Sequence, residues 1–188
     1  MNHNKINLKR IGLYGISGVG KTTLLKEITG RTDQIVWFEG AKLVLEAAGL
    51  SLDSFKKLSE KEKYVFREKA IDIAFARQLQ VQKSIIIDGH LAFATGECQY
   101  ENIMTENDKS FYTQFIYLEL DPEIVMQRQQ NDLTKKRVYS RDTIANWIAF
   151  EKQELEMVCK ENNIPLCVVK NESYEHCIEV ILNAIHNN

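Results

Sequence analysis

A chain of 188 residues, 44% of them hydrophobic, can bury the core of one α/β domain and is short for two. Its 24 basic and 26 acidic residues nearly cancel, so no global field favours nucleic acid or an anionic membrane as the main partner, and any anion site has to be local. Four scattered cysteines (Cys98, Cys159, Cys167 and Cys177) form no C-x-x-C pair, which argues against a zinc site or a disulfide framework and for reduced, mostly buried thiols. Residues 1–10 are polar and lack the apolar stretch of a signal peptide, and no apolar run approaches the ~20 residues of a membrane helix, so the expectation is a cytoplasmic protein.

In chain order, a short apolar run from Ile11 leads into a glycine loop and then a helix from Lys21 that Gly30 is expected to close. Residues 35–38 read as a second strand, followed by Gly40 and a helical stretch over 41–48. Between Leu52 and Lys83 there is no proline or glycine. There Phe55, Leu58, Val65, Phe66, Ala70, Ile73, Ala74 and Leu79 recur at helical spacing, which predicts two helices forming a cover beside the glycine loop. Residues 84–87 run into Asp88, and residues 115–120 run into Asp121 and Pro122. Both have the continuous apolar character of buried parallel strands, and Pro122 suits the first turn of a following helix. A charged segment over 131–142 precedes an amphipathic helix over 143–162 with Ile144, Trp147, Ile148, Leu155 and Val158 on one face. Residues 164–169 supply a fifth strand and 174–185 a closing helix. The alternation predicts a single domain over 1–188, a five-stranded parallel sheet with helices on both faces, and ligands at the carboxyl ends of the strands.

The run GISGVGKT, from Gly15 to Thr22, fits G-x-x-x-x-G-K-[ST] in full and sits between a predicted strand and a predicted helix, as a P-loop must. Gly15, Gly18 and Gly20 permit the backbone angles that turn successive amides toward phosphate oxygens, with Ser17 and Val19 between them, and the helix opening at Lys21, Thr22 and Thr23 adds its dipole. Lys21 is expected to reach the β and γ phosphates of ATP and Thr22 to take a magnesium coordination position. Asp88 is placed to hold a magnesium-bound water, to orient an acceptor, or merely to cap a helix, and His90 to contact substrate or act only as a structural donor. Arg128, Lys135, Lys136, Arg137 and Arg141 cluster after the fourth predicted strand. Guanidinium forks there would stabilise the charge of a transferring phosphoryl group, and a basic segment over 128–142 would close over the nucleotide as a lid.

GISGVGKT, the Asp-x-His of IIIDGH, LELDPEIVMQRQQND followed by KKR, the helix FEKQELE and the strand end VVKN together resemble the nucleoside monophosphate kinase group of P-loop proteins. The closest likeness is to the compact archaeal-type adenylate kinases and nuclear adenylate kinase-like ATPases, over nearly the whole chain. The resemblance implies that Arg128, Arg137 and Arg141 contact phosphates from a lid, that Asp88 and His90 edge the magnesium and acceptor site, and that residues 38–83 form the acceptor-binding part. Phe38, Lys56 and Arg67 are its candidate contacts, and the loop around Lys170 and Asn171 would lie near the nucleotide base. Where the group typically carries an arginine-rich D-R-D-x-x-R-K-L run, this chain has SLDSFKKL, with Leu52 and Lys56 at the arginine positions and Arg67, Lys57 or Lys63 as substitutes. The function expected is an ATP- and magnesium-dependent kinase of a nucleoside or deoxynucleoside monophosphate. The alternatives are a kinase of a small hydroxyl-bearing metabolite, with Asp88 as base, and a nucleotide-dependent ATPase acting on a protein or RNA partner.

Overall fold

The computed structural model describes residues 8–96, 99–132 and 139–186. Five strands, β1 (Arg10–Tyr14), β2 (Ile35–Glu39), β3 (Ser84–Gly89), β6 (Gln114–Glu119) and β7 (Leu166–Lys170), form one sheet in the order β2-β3-β1-β6-β7. Every neighbouring pair is parallel, with Tyr14 opposite Gly89 on one side and Tyr117 on the other. The expected sheet is therefore present. Successive residues of Ile11–Tyr14, Ile85–Ile87 and Phe115–Leu118 are buried, and because a strand's side chains alternate in direction, burial of consecutive residues means that both faces are covered.

The cover consists of α1 (Lys21–Arg31), α2 (Gly40–Ala48), α3 (Leu52–Lys56), α4 (Glu60–Val81), α5 (Glu106–Phe111), α6 (Pro122–Asn131), α7 (Arg141–Asn162) and α8 (Tyr174–His186). Helix α2 packs on α4 and α4 on α5, while α1 packs on α8 and α6 on α7. Helix α4 opens with a reciprocal cap in which Ser59 accepts from Glu62 N and Glu62 accepts from Ser59 N. Pro122 occupies the first turn of α6, as its fixed φ suits, and Asp121 accepts from Glu123 N at 2.8 Å.

Four details differ from expectation, one being the short helix α5, which stands where no element is expected. Gly30 does not close α1, which continues through Arg31 to Thr32. The buried stripe of α4 is narrow, comprising Ala70, Ile71, Ala74 and Gln78, so Val65 and Leu79 face outward at 42% and 55% exposure. An antiparallel hairpin, β4 (Ala92–Gly96) with β5 (Gln99–Asn102), stands outside the main sheet where no element is expected. Its base is pinned to α7, since Trp147 Nε1 donates to Ala92 O at 3.3 Å and Tyr100, 5.2 Å from the Phe150 ring, donates to Thr143 O at 3.1 Å. Cys159 and Cys177 are buried and Cys167 half-buried, all three as free thiols, and Cys98 lies outside the described residues.

The centre of the core is a fit between β1 and β6. A Cβ on Gly12 would lie 2.5 Å from the Phe115 ring, which also meets Tyr14 edge-on at 5.1 Å and Tyr112 at 4.8 Å. Truncating Phe115 to alanine leaves a ring-sized void among rigid strands. Phe115→Ala should cost about 3–5 kcal/mol, read as a lower urea midpoint at unchanged slope.

Candidate active site

The strand ends and helix starts converge on a cavity of about 900 Å³. Ser17, Gly18, Gly20, Lys21, Thr22 and Thr23 line one end, and side chains from α2, α3, α4, the β3 end and α5 line the other. A volume near the top of the usual ~300–1,000 Å³ range for ligand pockets suits two substrates side by side.

At the loop end, Gly15, Gly18 and Gly20 take φ of +144°, +99° and +104°, which side chains disfavour. A Cβ on Gly15 would also approach the Leu118 carbonyl to 2.5 Å. The loop's carbonyls are taken up by side chains: Gln129 Nε2 donates to Ser17 O at 2.7 Å, Arg128 Nη1 to Gly18 O at 3.2 Å and Asn171 Nδ2 to Val19 O at 2.7 Å. Lys21, only 7% exposed, donates from Nζ to Gly15 O and, at 3.2 Å, to Ile16 O, which holds the ammonium at the mouth of the loop. A concave backbone with its carbonyls engaged outside and a helix beginning at Lys21 is a phosphate cradle. Beyond it, Asn171, Glu172 and Tyr174 form a flank on which Tyr174 donates to Thr23 O at 2.9 Å.

Asp88 and His90 line the same cavity. Asp88 Oδ1 accepts from Trp37 Nε1 at 3.3 Å and from Gly40 N, at the start of α2, at 3.2 Å, so the capping role is present beside any role toward ligands. His90 sits 5.8 Å from the Phe93 ring at the foot of the hairpin. Among the described residues no cluster of three His, Cys, Asp or Glu forms a metal site. Thr22 and Asp88, the two residues expected to face magnesium, both line the cavity.

Of the acceptor candidates, Arg67 lines the cavity with its side chain 12% exposed, whereas Phe38 and Lys56 do not line it. The Phe38 ring lies 5.8 Å below the Arg77 guanidinium, and Lys56 points to solvent near Asp53. Leu52 and Phe55 of α3 line the chamber where a basic run was sought. Lys57 and Lys63 do not line it, and Lys63 pairs with Glu60 at 2.6 Å. Arg128 reaches the cavity, Arg141 sits at the start of α7 with Asp142 at 3.6 Å and outside the lining, and Lys135, Lys136 and Arg137 lie outside the described residues.

The geometry defines a P-loop nucleotide-binding protein. A family model described as an AAA domain matches residues 14–147, most of the chain, and the protein belongs to that family. It is similar to an adenylate kinase from Thermoplasma acidophilum, 28% identical over 133 residues, or 66% of this chain and 68% of that one. Among solved structures it resembles shikimate kinase from Acinetobacter baumannii in complex with shikimate, at 15% identity and TM-score 0.57 over 96% of this chain and 94% of that one. It also resembles a sugar kinase from Janibacter sp. HTCC2649, at 14% identity and TM-score 0.59 over 95% and 96% of the two chains. Those likenesses establish the fold, that of the P-loop kinases.

Glu151, a buried support behind the cavity lining, is not announced by any motif in the sequence. It lies on α7 with no exposed surface; its Oε1 accepts from Leu91 N at 3.1 Å and Ala92 N at 3.0 Å, and Oε2 from the Tyr117 hydroxyl at 3.5 Å. It thus ties α7 to the segment that follows His90. Burial pushes its carboxyl up to about 7, against those amides and the charge of Lys21, which pull it down. The folded state therefore binds a proton that the unfolded state, titrating near ~4.3, has released, so this group's contribution to stability falls as pH rises through that window and levels off above about 7. Glu151→Gln keeps an acceptor oxygen but does not titrate. The stability of the natural protein relative to this variant should fall between pH 5 and 7.5, as read from urea midpoints at the two values.

Proposed function

We propose that the protein is an ATP- and magnesium-dependent phosphotransferase that moves the γ-phosphoryl group to a small acceptor, with a nucleoside monophosphate favoured. The observation that carries the reading is that one continuous cavity joins the phosphate cradle at Ser17–Thr23 to an apolar chamber edged by Arg67 and Asp88. Donor and acceptor would then share one enclosure, which in-line transfer between them requires.

The cradle amides and Lys21 bind the β and γ phosphates and hold them in line with the acceptor. Thr22 and Asp88, both lining the cavity, would hold a magnesium ion arriving with the nucleotide, and the ion would offset negative charge on the phosphates. Arg128, beside Gly18, is placed to meet the equatorial oxygens as their charge grows. The acceptor oxygen forms a bond to the γ phosphorus as the bridging oxygen leaves with ADP. A phosphate acceptor needs no base because it is already anionic, and Arg67 would steer it.

A hydroxyl-bearing acceptor is the second reading. Leu52 and Phe55 make the chamber wall of α3 apolar, and Arg67 is the one cation lining that side among the described residues. Asp88 would then receive the hydroxyl proton. The similarity to an adenylate kinase supports the first reading, and the fold shared with shikimate and sugar kinases is compatible with the second.

ADP release with magnesium and ATP, measured against ribo- and deoxyribonucleoside monophosphates, sugars and a no-acceptor control, separates the readings. Stimulation by a monophosphate is expected; slow hydrolysis indifferent to every acceptor would point instead to an ATPase that works on a macromolecular partner. Lys21→Met should reduce transfer to background. Arg128→Ala should lower turnover about 100-fold while weakening ATP binding far less, and equal losses in both would make Arg128 a binding residue only.

A further inference from the structure

Asp108, on α5, is 8% exposed and lines the acceptor chamber. Thr105 donates to it from N at 2.8 Å and from Oγ1 at 2.7 Å, and both bonds fall on Oδ2. A carboxylate offers about four acceptor positions over two oxygens, and among the described residues Oδ1 accepts no hydrogen bond. Capping through a single carboxylate oxygen does not require burial, and here Asp108 is buried. Ser59 and Glu62 build the same reciprocal cap on α4 at the surface, where the carboxylate stays hydrated.

In the chamber that carboxylate is expensive to keep. Burial pushes it up to about 6 in spite of the Thr105 bonds and the charge of Arg67, with Glu68 adding to the rise. Tyr14 and Tyr112, also lining the chamber, are held well above their ordinary range and stay as neutral hydroxyls. Ala70, Ile71, Ile103 and Met104 supply the apolar walls. An acceptor-only oxygen in an apolar chamber, with a guanidinium on the neighbouring helix, fits a molecule that brings an N–H donor to one point and negative charge to another.

Building on the phosphotransferase reading, we infer that Asp108 determines specificity in the acceptor chamber by selecting an acceptor with an amino group, whose N–H donates to Oδ1. The same chemistry is offered by the exocyclic amine of a nucleobase and by the amine of a small metabolite. A site built around a buried acceptor rejects an analogue lacking the donor, because its own oxygen is then left desolvated and unpaired.

The test is calorimetric binding to the full chain with ADP and magnesium present. AMP is compared with purine riboside 5′-monophosphate, which lacks only the amine, and glucosamine 6-phosphate with glucose 6-phosphate. The natural protein is expected to bind the amino-bearing member of one pair at least ~10-fold more tightly, and whichever pair shows this identifies the source of the amine. Asp108→Asn keeps the shape and a cap acceptor, and should erase that ratio while ADP affinity holds. Equal affinity within both pairs, no binding by either pair, or a ratio that survives in Asp108→Asn would overturn the inference. The comparison in the natural protein stands even where the variant fails to fold. Transfer from ATP to acceptors irrespective of an amine would remove this inference and leave the phosphotransferase reading intact; amine-dependent binding without transfer to any acceptor would do the reverse.

Discussion

The loop between β1 and α1 can hold its shape only if its carbonyl groups are satisfied from outside, because its amides have to stay available to an anion. Gln129 and Arg128 on α6, Asn171 after β7 and Lys21 from the loop's own helix take up the carbonyls from Gly15 to Val19. A buried backbone carbonyl without a partner costs as much as a lost hydrogen bond, so these donors fix which way each peptide faces. The sheet supplies the other half of the constraint. The Leu118 carbonyl on β6 closes the space beside Gly15, so the loop cannot collapse toward the strand that its neighbour β1 lies against. The order β2-β3-β1-β6-β7 brings all these donors to one edge although they are far apart in the chain.

Much of this was legible in the sequence because the signals are local. GISGVGKT specifies the cradle and the start of its helix within eight residues, and the apolar runs ending at Asp88 and Asp121 announce buried parallel strands. Asp121 and Pro122 mark the start of α6 through capping and fixed φ alone. The loop-donor role of Gln129 and Asn171 depends on the sheet order that brings α6 and the end of β7 beside the loop, which no spacing encodes. The hairpin β4–β5 escaped for a related reason. Its strands are short, β5 is polar throughout, and the hairpin is held by Trp147, Tyr100 and Asn102 against α7 rather than by a periodic apolar face of its own.

Glu151 was within reach of sequence reasoning. The stripe Ile144, Trp147, Ile148, Leu155, Val158 has its missing step at position 151, so the helical period places a glutamate on the buried face. A charged residue there signals a polar partner inside, since an unpaired buried carboxylate is not tolerated. Its partners are the amides of Leu91 and Ala92, directly after His90, which makes α7 and the acceptor side of the cavity one mechanical unit. Helix α7 begins at Arg141 with Ser140 as its cap, accepting from Thr143 N.

The acceptor chamber is where local reasoning fails most clearly, because the basic run that usually announces a phosphate acceptor is absent while a cation is present elsewhere. Leu52 and Phe55 occupy the wall in its place, and the charge comes from Arg67, one helix later and in the middle of α4. A guanidinium buried to that degree, with Glu60 only at 3.5 Å, retains donors for a ligand, whereas exposed Lys56 would have to leave water to reach one. With Asp108 close enough to act on the same field, the chamber presents opposite charges within an apolar enclosure. Under the proposed phosphotransfer, such a chamber would distinguish acceptors by where they carry donors and negative charge more than by size, because apolar walls discriminate weakly between molecules of similar shape.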